Sequence, residues 1–412
     1  MGPKKIMAVV AIIIVIAAAL VGLYYYFFYA GQTAVIKSSI IIGAQMSLTG
    51  PASAQGRELS WTVTKAVDDV NKGDGVYVAE YGKKLPISLI ILDDESNSDK
   101  AAELVEKFVK VYNVDFLIAG HGGPYIMPFC VAAEKYKVLT MVTFITPETF
   151  FTQNFTHSCL FFFNTTKHVS LFYKMLIEAN APTTIGIVSV DILDGRILAG
   201  VAKKVGISLG FTVVAEEYYP TGSTDFTSII MKFKDAKVDH VWMLGGTPAI
   251  VAFLRQSKEL GYNWKALWNL VGSWPIEFYQ TAGKDGEYVI ADGFFYKTLP
   301  YPGARELWDA FEKHFGKFSI GGPGPHYALV QILVQAIEKA GTLKKDKVMK
   351  TILEEGPWET VKGPAKFDPK THYAPFDTML FQWINGTVRC VYPPEYAEAR
   401  LVYPAPPWSM RS

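Results

Sequence analysis

Two pairs of side chains have the types and spacing that catalysis could use, but neither makes a complete site. His157 and Cys159 would share one face of a strand, as a base and a nucleophile could, yet no third group orients them. Asp93 and Asp94 could act as paired acids, although a turn that leads into a helix explains them better. The chain has no Walker loop, no G-x-S-x-G and no H-E-x-x-H. We therefore predict that it is not an enzyme.

Five loops rich in small and hydroxyl residues suggest another chemistry, the binding of a small solute. Backbone N–H groups at the start of a helix can hold a carboxylate or a carbonyl without a cation. Each loop lies between an apolar run and a helical pattern, at residues 47–55, 120–125, 143–146, 189–194 and 245–247. One such loop is most simply an ordinary strand-to-helix turn. Five that face one cleft favour a binding site.

Alternating strands and helices are needed to bring these loops to one edge of a sheet. The segment from Ser39 to Lys72 reads as a buried strand, a Gly/Pro/Ser turn and a long amphipathic helix. Similar pairs continue to about residue 144, and a second series runs from about 185 to 291. Open α/β sheets bind small molecules at the carboxyl ends of their parallel strands. The pattern predicts two mainly parallel sheets, each with helices on both faces.

The chain length and the remaining elements predict two lobes and a tail. A chain of 412 residues suits two lobes of roughly 150–200 residues each. Helices are predicted at 304–315 and 327–340, and strands at 363–368, 378–384 and 387–391, with Asn385-Gly386 as a hairpin turn. We expect lobe 1 to hold 37–157 and 298–355, lobe 2 to hold 158–297 and 356–392, and 393–412 to form a Pro-rich surface tail.

The N-terminus carries one long apolar run, Ile6 to Tyr29, without a charged residue. At ~1.5 Å per residue it would extend about 36 Å, enough to cross a bilayer. Lys4 and Lys5 precede it and favour an N-terminus inside the cell. The apolar region of a signal peptide is usually about 7–15 residues. We therefore predict one transmembrane helix within residues 1–36, with a cleaved signal as the alternative, and the remainder outside the cytoplasm.

Charge and cysteine content exclude several other classes. The chain has 40 basic and 39 acidic residues and a net charge of +1, so it lacks the basic excess of a nucleic-acid-binding surface. Its three cysteines form no C-x-x-C pair, which argues against a disulfide framework and a zinc site. No cofactor is predicted. Aromatic residues make up 14% and favour core packing, with an aromatic-lined pocket as the alternative.

An ordered set of motifs from about residue 38 to 392 resembles the leucine/isoleucine/valine-binding family. These are type I periplasmic binding proteins of ABC importers. The motifs are Ser47-Leu48-Thr49-Gly50-Pro51, Asp93-Asp94, Asn164-Thr165-Thr166, Leu254-Arg255-Gln256, and Gly363-Pro364 with Phe367-Asp368. The resemblance implies two α/β lobes that are joined by three crossings and close on a small ligand. It also implies an ABC permease in the membrane as the partner.

Most of the ligand contacts implied by the resemblance have changed residue type. They fall at Gln55, Gly123, Pro124, Tyr125, Phe144, Thr146, Asp194 and Thr247. The family's carboxylate-binding serines become Gly123-Pro124-Tyr125, and two second-lobe tyrosines become Asp194 and Thr247. The glutamate that pairs with the ligand ammonium falls near Val271. The resemblance therefore predicts the fold better than it predicts the ligand.

The ligand predicted from these residues is a small polar organic solute, with a branched-chain or other amino acid favoured. An amino acid needs an acceptor for its ammonium, because burying an unpaired charge costs several kcal/mol. Asp194 could supply it. If Asp194 lies outside the cleft, the ligand could be an amide, a urea-like compound or an aromatic acid, stacked on Tyr125, Phe144, Trp268 or Trp274. A sensory ectodomain and, less so, an extracellular α/β enzyme are the alternative functions.

Overall fold

The computed structural model describes residues 2–25, 37–316, 319 and 321–411. The strands are β1 (Ile40–Met46), β2 (Val76–Val78), β3 (Lys83–Leu85), β4 (Ile87–Asp93), β5 (Phe116–Ile118), β6 (Thr140–Val142), β7 (Ser158–Phe163), β8 (Thr184–Val190), β9 (Thr212–Tyr219), β10 (His240–Gly245), β11 (Ala266–Val271), β12 (Ile290–Gly293), β13 (Tyr373–Phe376), β14 (Met379–Ile384) and β15 (Thr387–Tyr392). The helices are α1 (Pro3–Tyr25), α2 (Ser53–Lys72), α3 (Ser98–Lys110), α4 (Gly123–Lys135), α5 (Pro147–Phe150), α6 (Thr165–Glu178), α7 (Leu193–Ser208), α8 (Thr227–Asp235), α9 (Thr247–Glu259), α10 (Ile276–Ala282), α11 (Ala304–Phe315), α12 (Gly324–Ala340) and α13 (Lys345–Glu354).

The first sheet is parallel throughout the described residues, with the strand order β13-β7-β6-β5-β1-β4. Its central strands are almost fully buried, as expected when helices cover both faces of a sheet. Among these helices, α2 packs against α12 and α3 packs against α4. The parallel direction places the carboxyl ends of β1, β5 and β6 at one edge, where three of the predicted loops begin.

The second sheet has the order β15-β14-β12-β11-β10-β8-β9 in the described part of the chain. β9, β8, β10, β11 and β12 are parallel to one another. β14 is antiparallel to its neighbour β12, and β15 is antiparallel to β14. The turn between that pair is at Asn385 and Gly386, whose φ angles are 52° and 71°. Positive φ at both positions is what a two-residue hairpin needs, so this predicted turn is confirmed.

The predicted lobe boundaries assign β7 and β13 to lobe 2, but both strands lie in the first sheet. β7 and β13 pair with each other in the first sheet, although 158–297 and 356–392 were expected to form lobe 2. The boundaries stay a prediction, and this pairing favours moving them beyond Phe163 and Phe376. The strand predicted at 363–368 is wrong: Gly363 has φ 99° and Pro364 has no N–H to donate, so only isolated bridges form there.

No helix formed by the described residues is long and apolar enough to cross a membrane. The transmembrane helix expected within residues 1–36 is therefore not supported by the structure and stays a prediction from the sequence. Residues 26–36, which include the end of the apolar run, lie outside the described residues.

The C-terminal segment, residues 393–411, is hydrogen-bonded to the second sheet and to the residue before β11. Val402 N donates to Gln382 Oε1 at 2.8 Å, and Ala405 N donates to Lys265 O at 2.8 Å. The Arg411 guanidinium lies 3.8 Å from the ring centroid of Trp408, and burial lowers its pKa to about 10. The predicted surface tail therefore adds packing to the second lobe.

Within the described residues the chain passes between the two sheets three times, and each crossing carries a phenylalanine. These are Phe163 at the end of β7, Phe294 directly after β12 and Phe376 at the end of β13. The ring centroids of Phe163 and Phe294 are 5.6 Å apart, and those of Phe294 and Phe376 are 6.1 Å apart. We call these three residues the hinge cluster, since any movement of one lobe against the other must bend the chain here.

A buried lysine beside the third crossing gives the protein a pH-dependent stability. Lys362 Nζ donates to Asp377 O at 2.8 Å and lies 4.7 Å from the ring centroid of Phe376. Burial lowers the pKa of Lys362 to about 7 from an ordinary 10.5. The folded protein therefore releases this proton at lower pH than the unfolded chain does. Between about pH 7 and 10.5 the unfolded state binds more protons, so stability rises with pH.

We expect the free energy of unfolding to rise from pH 7 to pH 9 more steeply in the wild type than in Lys362→Met. The difference in slope should be at most about 1.4 kcal/mol per pH unit, the value for one proton. Urea denaturation at several pH values measures it. Parallel pH profiles for the two proteins would contradict this account of Lys362.

Candidate ligand-binding site

The turn between β1 and α2 is held in place by Asp93. Leu48 N and Thr49 Oγ1 donate to its carboxylate at 2.8 and 2.7 Å. Burial would raise the pKa of Asp93, but the hydrogen bonds from Thr49, Glu95 and Leu48 outweigh it and lower the pKa. Helix α2 approaches the turn closely at Gly56, where a Cβ would lie 1.8 Å from Ser47 O. Asp93 is therefore a structural residue that shapes one wall of the cleft.

Neither candidate catalytic pair forms. Asp94 is buried and accepts hydrogen bonds from Gln45 Nε2 and from the backbone N–H of Ser96, so it does not act as a paired acid with Asp93. His157 Nδ1 lies 3.0 Å from Glu134 Oε1, whereas Cys159 Sγ contacts Met349 Sδ at 3.3 Å. Burial raises the pKa of the Cys159 thiol, so it is not an activated nucleophile.

In the part of the chain that the structure describes, the side chains form neither a metal site nor a disulfide. All three cysteines are free and buried. No group of three or more His, Cys, Asp or Glu side chains within the described ranges could hold a metal ion.

A cavity of about 360 Å³, open to solvent, lies between the carboxyl ends of the strands of the two sheets. Its wall includes four of the five predicted loops, at 120–125, 143–146, 189–194 and 245–247. The floor is aromatic: the hinge residues Phe163 and Phe294 line it beside Phe162. A concave, mostly apolar site with a few polar groups is typical of small-molecule binding.

The predicted site residues divide between this cavity and its surroundings. Gly123, Phe144, Thr146, Asp194 and Trp274 line it. A smaller adjoining cavity of about 30 Å³ is lined by Gln55 and shares His121, Phe144 and Trp274 with the first. The fifth loop, 47–55, therefore ends in the adjoining cavity.

Four predicted contacts lie outside the cavity wall. Pro124 and Tyr125 belong to the first turn of α4, with Pro124 exposed. Thr247 Oγ1 donates to Gly272 O at 2.8 Å, which turns it away from the cleft. Trp268 cannot stack on a ligand, because it is fully buried in mid-strand against Phe172.

Asp292 is a buried carboxylate at the cavity wall that the sequence analysis missed. Trp274 Nε1 donates to its Oδ1 at 2.8 Å, and His168 Nε2 lies 3.2 Å from its Oδ2. Only 1% of Asp292 is exposed. Its position at the end of β12, just before Gly293, is of the same kind as that of the predicted loops. This position at the end of a strand is the feature of the sequence that could have identified Asp292 as a site residue.

His121 is a second missed group, and it lies between the two cavities. Its ring is 5.2 Å from that of Phe144, and burial lowers its pKa to about 4, so the imidazole is neutral at pH 7. Its Nδ1 has no hydrogen-bond partner among the described residues. A neutral imidazole can accept or donate, so this buried atom keeps an unused hydrogen-bonding capacity beside the cavities.

Asp194 joins the two lobes across the cleft. It lies in the first turn of α7, and its Oδ1 accepts hydrogen bonds from Thr146 Oγ1, at 3.0 Å, and from Thr149 Oγ1. Both threonines belong to the loop and short helix after β6 of the first sheet. We call these three residues the Asp194 bridge. It holds the lobes in contact at the mouth of the cavity.

The charged groups at the cavity wall are of one sign. Among the described lining residues there are two carboxylates, Asp194 and Asp292, and no lysine or arginine. Electrostatic complementarity therefore favours a solute that brings N–H donors or a positive charge.

Comparisons with known proteins agree with this geometry. Residues 39–387 match the periplasmic binding protein family. A leucine-, isoleucine-, valine-, threonine- and alanine-binding protein of Pseudomonas aeruginosa is 26% identical, over 83% of this chain and 89% of its own. The leucine-binding protein LivK of Thermotoga maritima has the same fold, with a TM-score of 0.74, 18% identity, and coverage of 86% of this chain and 98% of its own.

A third neighbour is the substrate-binding protein LivJ of a branched-chain amino acid transporter from Streptococcus pneumoniae, solved with isoleucine. Its TM-score is 0.73 at 19% identity, covering 86% of this chain and all of its own. The two-lobed α/β fold and the resemblance predicted from the motifs are thereby confirmed. The chain belongs to the periplasmic binding protein family, whose members bind solutes and are not enzymes.

Proposed function

We propose that this protein captures an amino acid, or a close amino-acid derivative, with an apolar or aromatic side chain in the cavity between its lobes. The observation that supports this most is the aromatic floor formed by Phe162, Phe163 and Phe294 beneath two carboxylates. An apolar side chain placed there would lose contact with water, at roughly 25 cal/mol per Å² buried. An amino group would meet Asp194 or Asp292 as acceptor.

The relatives are consistent with this ligand class. The Pseudomonas aeruginosa protein is named for five amino acids, and the Streptococcus pneumoniae structure contains isoleucine. At most of the contact positions that the family resemblance implies, this chain has a different type of residue. We therefore extend the proposal to derivatives of such amino acids.

A thermal-shift panel on the full chain in detergent tests the proposal. It should include leucine, isoleucine, phenylalanine, their amides, urea and glucose. A true ligand at 100 times its dissociation constant should stabilise the folded state by about 2.7 kcal/mol. We expect shifts from the apolar amino acids or their amides, and none from glucose. Shifts from urea or glucose alone would overturn the assignment.

The mechanism that we infer is hinge closure followed by delivery to a permease. The solute contacts one lobe, the lobes close by bending at the three crossings, and the Asp194 bridge forms. The closed form then docks on the permease of an ABC importer. Uptake of the bound solute by cells with and without this protein tests that role.

We also infer from the sequence alone that residues 1–36 keep the protein at the outer face of the membrane. The support is the uncharged run after Lys4 and Lys5. Retention of the full chain in carbonate-washed membranes tests it, and release into the wash would contradict it.

A further inference from the structure

The hydroxyl donors at the mouth of the cavity are already engaged by a carboxylate of the protein. Thr146 and Thr149 both lie within hydrogen-bonding distance of Asp194 Oδ1, which reaches them from the opposite lobe. Asp194 Oδ2 points toward the start of α4, 3.0 Å from where a Cβ on Gly123 would be. The two threonine hydroxyls that could hold an anionic group of a solute are therefore occupied.

No charged donor on the rest of the described wall replaces those hydroxyls. The described lining residues include no lysine or arginine, and the other charged side chain among them is the carboxylate of Asp292. A carboxylate on the solute would approach the carboxylate of Asp194 at close range. Two like charges brought together in such a place suppress binding strongly.

We propose that Asp194 is a specificity-determining residue that selects solutes with N–H donors and without a free carboxylate. The class that it admits is an amine or an amide on an apolar body. The inference rests on the proposed function, because it assumes that such a solute enters this cavity. It narrows the ligand from amino acids in general to their decarboxylated or amidated derivatives.

Calorimetric titration of the full chain in detergent with matched pairs tests this selection. The pairs are leucine against leucinamide and phenylalanine against phenylalaninamide, which differ mainly in the carboxylate. We expect the wild type to bind each acid about 100-fold more weakly than its amide, or not at all, as close like charges would cause. This comparison needs no variant, so it does not depend on how a substitution folds.

Variants then assign the effect to Asp194. Asp194→Asn keeps the shape and removes the charge, so the ratio of acid to amide affinity should move toward one. Asp194→Ser is the second variant, in case the first does not fold. The matched control is Asp191→Asn: it removes the same charge three residues earlier, where Asp191 is exposed and pairs with Arg196 at 2.6 Å. The control should leave the ratio unchanged.

The outcomes separate the two levels of the proposal. If the acids bind the wild type as tightly as the amides, or if both Asp194 variants keep the wild-type ratio, the selection by Asp194 is wrong and the proposed function stands. If no member of either pair binds, the proposed function itself fails and this inference fails with it.

Discussion

Replacing Phe294 by alanine should lower the free energy of unfolding by about 4 kcal/mol, the usual cost of removing a buried phenylalanine ring. Phe294 is fully buried, and its ring centroid lies 5.1 Å from Trp274, 5.4 Å from Phe144 and 5.6 Å from Phe163. It therefore contacts residues from both lobes and from another crossing. Urea denaturation measures the loss, and the affinity for any solute found should fall with it, because the floor of the cavity is removed.

The matched control for Phe294 is Phe151→Ala, which makes the same chemical change at a side chain that is 42% exposed. Its cost should stay below about 1 kcal/mol. Equal losses in the two variants would contradict the central role given to the hinge cluster.

Asp292→Ala should be the second most damaging of these changes, at about 3 kcal/mol, because it leaves the buried Trp274 Nε1 without an acceptor and removes the buried carboxylate beside His168. Trp274 Nε1 would lose its acceptor, and His168 would lose the carboxylate 3.2 Å from its Nε2. The Trp274 ring would also be free to turn away from the cavity wall. Chemical denaturation gives the change in stability, and tryptophan fluorescence reports on the ring.

Asp292→Asn separates hydrogen bonding from charge. The amide oxygen can still accept from Trp274, so we expect less than half of the stability loss of Asp292→Ala. If the alanine variant is as stable as the wild type, Asp292 does not support the wall in the way that its contacts indicate.

The elements of this fold could be predicted because their signals are local. The helix predicted at 304–315 and the Asn385-Gly386 turn depend on periodicity and on backbone angles that neighbouring residues determine. The five loops followed from the same alternation of strands and helices. Four of them meet at one cavity because parallel strands end at one edge.

The parts that could not be predicted depend on distant contacts. β13 is a strand because β7 offers it a partner more than 200 residues earlier in the chain, as Tyr373 pairs with Leu160. Trp268 lies in the middle of β11 and therefore packs in the core. Trp274 follows the end of that strand and reaches the cavity. Likewise, the engagement of Asp194 by threonines of the other lobe appears only when the lobes are placed together.

Two of the three aromatic rings at the crossings, those of Phe163 and Phe294, also form the floor of the cavity, and this shared use has a consequence for lobe closure. In many receptors the ligand binds at one place and the conformational change occurs at another. Here Phe163 and Phe294 belong to both. A solute that covers these rings shields them from the water that lobe opening would admit, so occupancy alone biases the protein toward the shut form. If a permease receives the solute, as we propose, it would distinguish the loaded protein from the empty one by its shape, without contacting the solute.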